Sequence, residues 1–390
     1  MKDFCLPNYK DGSIVNLMSS IIKARGGKSQ YGSLKLLPPA ELKDKKNVIL
    51  LVIDGLGNNY LMNKKNSVLY KNIRGKMSSV FLPTTACAIT TYLTGVAPQQ
   101  HAHTGWFMNL KEVGGIVAVL RFMLRLGGPV ISEFGFNVKD IIDVKPIQSK
   151  MKYKTITINP KKILNTDFMN LMGQKAINLK YNSEDIDNLF KKIKKAVKYS
   201  NKKKYIYSYW SGYDASAHDT GVFSKKTEKH FKEMDKKLGK FFKSLKGTNT
   251  TLIITADHGF VDAPVSKIVW IKNHPVFEKC LSAPLCGEAR TPFCYVHSSK
   301  VKEFENYVRK KMNKYCYILK TKDIINKNYL GLFKPHKKLL NRLGDYALVC
   351  KKNYRIKDHL SRKSKKKEFV AHHGGLSEDE MYVPLIVMDF

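Results

Sequence analysis

Acidic residues are scarce in this 390-residue chain: 32 Asp and Glu stand against 69 Lys and Arg, for a formal net charge of +37. Arginine is scarce as well, with nine positions, which leaves 60 lysines. A field of that strength attracts polyanions and anionic lipid in a salt-dependent way. Phosphate and base recognition leans on arginine forks, however, and the lysines are spread over most of the chain. Compositional bias explains the charge at least as well as an oligonucleotide-binding or membrane-surface role. Long hydrophobic runs are also missing. The richest stretch, Val113 to Ile131, is broken by Arg121 and Arg125, so no transmembrane segment is expected. The opening MKDFCLPNYKDGSIVN has no apolar leader core. The seven cysteines form no CxxC pair, which excludes a zinc ribbon and a thioredoxin-like site. An odd number of scattered thiols suits a reducing compartment, and a cytoplasmic location is expected.

What is present starts with NVILLVIDGLG, Asn47 to Gly57. An unalternating apolar run bounded by turn residues reads as a strand buried on both faces, as in a parallel sheet. Asp54 then falls at the strand's carboxyl end, where open α/β sheets place their ligands. With 43% hydrophobic residues the chain has enough for a sizeable core.

Along the chain, Ser13 to Ala24 reads as an amphipathic helix stopped by Gly26 and Gly27. In FLPTTACAITTYLTGVAP, Phe81 to Pro98, a short helix over Ala86 to Leu93 ends at Gly95, so Thr84 or Thr85 lies at a helix N-terminus that favours an anion. From Trp106 to Tyr153 the pattern fits loops and a hairpin over the sheet edge. Ser183 is expected to cap a helix with the stripe Ile186, Leu189, Phe190, Ile193 and Val197. Tyr205 to Trp210 and Thr250 to Thr255 are further buried strands. A long helix from Ser224 lies between them, and Asp257 and His258 follow the second. Strand–helix alternation predicts an α/β fold, a three-layer sandwich around a mainly parallel sheet. The core is assigned to 1–264 and 356–390, with 265–355 as an inserted cap-like excursion of the same domain. Lys357 to Lys367 reads as an exposed loop and EFVAHHGGLSEDEMYVPLIVM as a histidine pair, an acidic turn and a last strand.

The polar groups at strand ends are Asp54, Thr85, Asp214, His218, Asp257, His258 and His373. Asp214 and His218, spaced i, i+4, face the same way on a helical turn and suit one metal. Six oxygen and nitrogen ligands plus a hydroxyl match the needs of two metals about 4 Å apart.

In this order, LVIDGLG, LPTTACAITTYLTGVAPQQHAHTGW, YWSGYDASAHDTG, ITADHGF and HHGG resemble the motifs of the alkaline phosphatase superfamily. They are most similar to its type I phosphodiesterase, or nucleotide pyrophosphatase, branch. The resemblance implies two divalent ions, most simply Zn²⁺ with Mn²⁺ as the other candidate. Asp54, Thr85, Asp257 and His258 then correspond to the ligands of one metal, and Asp214, His218 and His373 to those of the other. Thr85 corresponds to the nucleophile, which passes through a phosphothreonine intermediate, and His372 is the alternative to His373. His101 and His103 are not ligands in the pattern and are expected at the pocket rim. The chain departs from the family at Trp106, where the nucleotide phosphodiesterases often carry an Asn that donates to the phosphoryl oxygen. Asn109 or a backbone amide is the expected replacement. Trp106, Phe107 and Tyr213 are candidates to stack on a base, with core packing as the alternative.

The resemblance therefore implies a metal-dependent hydrolase of a phosphodiester or phosphoanhydride with a nucleotide-like substrate. A phosphomonoesterase of the same superfamily is the second reading. It needs an extra cation near Thr85 for the substrate dianion. The third is a polyanion-binding protein on an inactive phosphatase scaffold.

Overall fold

The computed structural model describes residues 4–183, 185–359 and 368–390. A seven-stranded sheet runs in the order Ile73–Ser78, Tyr382–Asp389, Thr250–Thr255, Asn47–Ile53, Lys204–Trp210, Lys154–Pro160, Ile177–Tyr181. All its neighbours pair parallel except Tyr382–Asp389, which runs against both Ile73–Ser78 and Thr250–Thr255. Every residue of Asn47–Ile53 is buried, as its unbroken apolar run requires of a central strand covered on both faces. The mainly parallel α/β sheet matches the expectation.

Ile14–Ala24 is more deeply placed than an amphipathic surface helix, because every residue but Lys23 is buried. Its polar residues are spent on a neighbouring loop. Asn16 Nδ2 donates to the carbonyls of Tyr9, Lys10 and Gly32, and Ser19 Oγ donates to that of Tyr31. The helix Ile186–Lys198 is capped by Asp185, not Ser183; its carboxylate accepts from the Asn188 amide. An acid at that position satisfies a free amide and the helix dipole together.

A second seven-stranded sheet is antiparallel throughout. Its order is Cys316–Lys320, Tyr346–Cys350, Thr291–Cys294, Cys286–Glu288, Phe107–Leu110, Gly115–Ala118, Met123–Leu124. The hairpin after Trp106 thus extends this sheet instead of lying over the edge of the first. The excursion at 265–355 supplies the other four strands, and the joint is the pairing of Gly287 with Phe107. Of the run Lys357 to Lys367, Lys357 closes the short strand Arg355–Lys357, and residues 360–367 lie outside the described residues.

Five of the nine arginines tie the fold together from within. Arg290 grips Glu380 through Nε at 3.0 Å and a second nitrogen at 2.8 Å, joining the second sheet to the acidic turn Glu378–Met381. Arg125 holds Asp358, Arg342 and Arg355 pair with Glu112 and Glu368, and Arg25 caps the carbonyls of Leu42 and Lys45. These forks are not on offer to an external polyanion. No helix among the described residues is long and apolar enough to cross a membrane.

Candidate metal centre

Three adjacent strands deliver the acids. Asn47–Ile53 lies between its partners with Ile53 opposite Trp210 and Val52 opposite Thr255, so their carboxyl ends open side by side. Asp54 follows the first strand, and Asp257 comes two residues after the third. Asp214 stands in the first turn of the helix Gly212–Thr220, behind the second. Thr85 opens the helix Thr85–Thr94, which ends at Gly95 in a left-handed conformation (φ 68°) that glycine adopts without strain. The last histidines arrive from far along the chain: Val261–Asp262 pairs antiparallel with Ala371–His372, which sets His373 beside His258.

The seven expected residues converge. Thr85 Oγ1 lies 3.1 Å from His258 Nε2, and that nitrogen is 3.4 Å from Asp54 Oδ1 and 3.5 Å from Asp257 Oδ2. His218 Nε2 is 3.4 Å from Asp214 Oδ1. The His373 ring stacks on His258 at 3.7 Å and stands 5.2 Å from the His218 ring. Two sets of potential ligand atoms fall within 4.8 Å of one another: Asp54, Asp257 and His258, and Asp214, His258 and His373. His258 stands between the two sets.

The ring tautomers follow from carbonyl partners. His258 Nδ1 donates to the Gly259 carbonyl at 3.1 Å, and His218 Nδ1 donates to the Ala371 carbonyl at 2.8 Å. In the neutral rings each Nε2 therefore keeps its lone pair toward carboxylate oxygens. Four buried atoms in this cluster, Asp54 Oδ1, Asp214 Oδ1, Asp257 Oδ2 and His373 Nδ1, have no hydrogen bond among the described residues. Lone pairs facing carboxylates in a buried space are unfavourable unless a cation lies between them. The donor set of imidazole nitrogens and carboxylate oxygens fits divalent metal.

Burial raises the Asp54 carboxyl well above its usual range, with Asp214 and Asp257 pushing the same way and the Tyr209 hydroxyl, which donates to Asp54, opposing. Burial also raises Asp214, a shift that His218 and His258 would oppose only in their protonated forms. His373 is held well below the ordinary imidazole range by burial and by His258 and His218. An acid that resists ionisation and an imidazole that resists protonation are what a cation-binding pocket shows when its own residues are taken alone.

The cluster of candidate ligands opens into a cavity of about 480 Å³. Its lining includes Asp54, Thr85, Asp214, His218 and His373 together with Trp106, Phe107, Arg121, Arg125, Leu285 and Ile356. Asp257 and His258 lie beneath, fully buried. Asn109 does not line the cavity. Tyr213 is fully buried against Tyr60, at 5.2 Å between rings, so it packs the core and offers no face to a base. His101 and His103 are also core residues, bonded to Thr91 and Thr90, and are not at the pocket rim. His372 also lines the cavity, but its Nε2 accepts from Arg355 and it belongs to neither candidate ligand set. Sequence reasoning missed Tyr209, whose place in YIYSYW gives no cue to its aim at Asp54, and Glu288, which faces the cavity from a weakly patterned segment.

Comparison with known proteins places this geometry. The sequence model described as type I phosphodiesterase / nucleotide pyrophosphatase matches residues 48–376. Among solved structures, murine ectonucleotide pyrophosphatase/phosphodiesterase 5 is 16% identical at a TM-score of 0.65, with 87% of each chain covered. An inactive threonine-to-alanine form of the murine protein, solved in complex with AMP, gives 15% identity and a TM-score of 0.65 over 88% of this chain and 87% of that one. Phosphonoacetate hydrolase from Sinorhizobium meliloti, in complex with phosphonoformate, is 14% identical at a TM-score of 0.64, covering 88% of this chain and 90% of that one. A search of curated proteins returned no match. A family match spanning most of the chain, on the fold and around the residues just described, leads to one conclusion: the chain belongs to the type I phosphodiesterase / nucleotide pyrophosphatase family of phosphoric ester hydrolases.

Proposed function

We propose that this chain cleaves a phosphodiester or phosphoanhydride in a nucleotide-like substrate, through a phosphothreonine intermediate on Thr85. The observation that carries the reading is the position of Thr85 Oγ1, 3.1 Å from His258 at the meeting of both candidate ligand sets. Asp54, Thr85, Asp257 and His258 would hold one divalent ion, and Asp214, His218 and His373 the other, with zinc favoured by the mixed imidazole and carboxylate donors. Bound there, the ions would supply Lewis acidity and neutralise charge at the phosphoryl group.

The chain's own residues do the rest. The N-terminus of Thr85–Thr94 favours the phosphoryl anion. Thr85 Oγ forms a bond to phosphorus as the bond to the leaving oxygen breaks, and the hydroxyl proton passes to solvent. Water then attacks the phosphothreonine, the Thr85 Oγ–P bond breaks, and the hydroxyl is restored. Trp106 and Phe107 give the cavity an aromatic wall suited to a nucleobase, as AMP in the murine relative suggests. The segment 265–355 acts in this reading as a cap. Together with the 107–124 strands it closes the cavity over a small substrate, which makes an oligonucleotide the weaker candidate. Seven free thiols, six of them buried, support a reducing, cytoplasmic setting.

The test is turnover of the p-nitrophenyl ester of thymidine 5′-monophosphate, with metal content and a mass-spectrometric search for phosphate on Thr85 as independent readouts. Thr85→Ala is expected to lose more than about a thousandfold in kcat while keeping its metals. Wild-type turnover in that variant would overturn the reading.

A further inference from the structure

The wall beside Thr85 carries an acid where a phosphomonoesterase needs a cation. Glu288 ends the strand Cys286–Glu288 and lines the cavity with Thr85, Asp214 and His373. Its Oε1 accepts the Thr84 hydroxyl at 2.6 Å and the Trp106 amide at 3.0 Å. Thr84 directly precedes the proposed nucleophile, so the carboxyl is anchored to the same turn of chain. Gly374, next to His373, closes in from another side; a Cβ there would stand 2.7 Å from the Glu288 Cβ. Glu288 is therefore fixed against both segments that deliver the reacting hydroxyl and the last ligand.

What faces Glu288 is two neutral donors and, from the helix Gly212–Thr220, Asp214. Two basic side chains of the cavity are paired with acids, Arg125 with Asp358 and Lys357 with Glu368, while Arg121 lies over the Trp106 ring in the cavity wall. The Trp106 amide, a candidate donor to the phosphoryl oxygen, is already committed to Glu288. Burial pushes the Glu288 acid up to about 7, with the Thr84 and Trp106 donors opposing.

We propose that Glu288 is a specificity-determining residue that makes this pocket prefer a phosphodiester monoanion to a phosphomonoester dianion. The proposal rests on the reading of Thr85 as nucleophile. A fixed carboxylate in a low-dielectric pocket repels in proportion to the charge of the incoming phosphoryl group, so the dianion is penalised about twice as heavily. The metals attract both substrates, and Glu288 sharpens the difference between them.

The experiment compares kcat/KM for p-nitrophenyl phosphate and the p-nitrophenyl ester of thymidine 5′-monophosphate at pH 8, in the metal-loaded wild type, Glu288→Gln and Glu288→Asp. Gln keeps an acceptor for Thr84 and Trp106 but removes the charge, and Asp keeps the charge. The monoester-to-diester ratio is expected to rise roughly tenfold or more in Glu288→Gln and to stay near the wild-type value in Glu288→Asp. An unchanged ratio in Glu288→Gln, with metal content and Tm intact, would overturn the proposal. So would equal rises in both variants, which would assign the effect to lost positioning. If the wild type hydrolyses neither ester, or Thr85→Ala hydrolyses both normally, the underlying reading fails instead of the role of Glu288.

Discussion

His258 Nε2 points at Asp54 Oδ1 across 3.4 Å, while the opposite ring nitrogen donates to the Gly259 carbonyl. The ring thus meets a buried carboxylate with a lone pair, an arrangement that a cation between them turns from a cost into coordination. The same conflict recurs at Asp257 and Asp214, and its repetition around one hydroxyl, that of Thr85, distinguishes this cluster from an ordinary buried ion pair.

Asp54 gives the conflict a measurable sign. Its carboxyl is raised well above the usual range in the folded chain, first by burial and then by Asp214 and Asp257. In metal-free protein the cost of ionising it is absent below the unfolded value near 3.9 and accumulates as pH rises through the window toward the folded value. Metal-free Asp54→Asn is therefore expected to match the wild type near pH 4 and to exceed it by about 1 kcal/mol or more at neutral pH, measured by denaturant unfolding. With metal present the order reverses, because the variant loses a ligand.

Arg290 and Glu380 form a buried bidentate pair, and Glu380 also accepts the Gly375 amide and the Ser377 hydroxyl. Arg290→Met leaves that carboxylate buried without its partner and is expected to cost about 3–5 kcal/mol. The double variant Arg290→Met, Glu380→Gln is expected to recover part of the loss. Chemical denaturation of both proteins measures it.

Gly57 and Gly259 meet backbone to backbone behind the acids. A Cβ on Gly259 would stand 2.0 Å from the Asp379 carbonyl oxygen and 2.9 Å from the Gly57 Cα. Neither is the movable end of a side chain. Gly259→Ala is expected to lose roughly 3 kcal/mol of stability and to weaken metal binding, because Asp257 and His258 directly precede the displaced residue. Calorimetry with and without metal checks both.

Local chemistry made part of this site readable. Asn47–Ile53 is legible because a strand buried on both faces needs an unbroken apolar run, and the acids that end such runs, Asp54 and Asp257, mark the sheet's carboxyl edge. The i, i+4 spacing of Asp214 and His218 survives as a 3.4 Å contact. Tyr213 went the other way for the same geometric reason: one residue before Asp214 on a helix, it turns about 100° away and into the core. Asn109 is out of reach because its strand carries it beyond the cavity that Trp106 and Phe107 line. Glu288 had no local signal at all. Its neighbourhood is made by pairing Gly287 with Phe107, residues 180 positions apart, in a sheet whose short strands show weak periodicity.

Anomalous diffraction from crystals of the metal-loaded protein tests the central claim most directly. The account predicts two peaks per chain about 4 Å apart, one against Asp54, Asp257 and His258, the other against Asp214, His218 and His373. A chain that binds no metal there, or whose peaks lie away from Thr85, would contradict it.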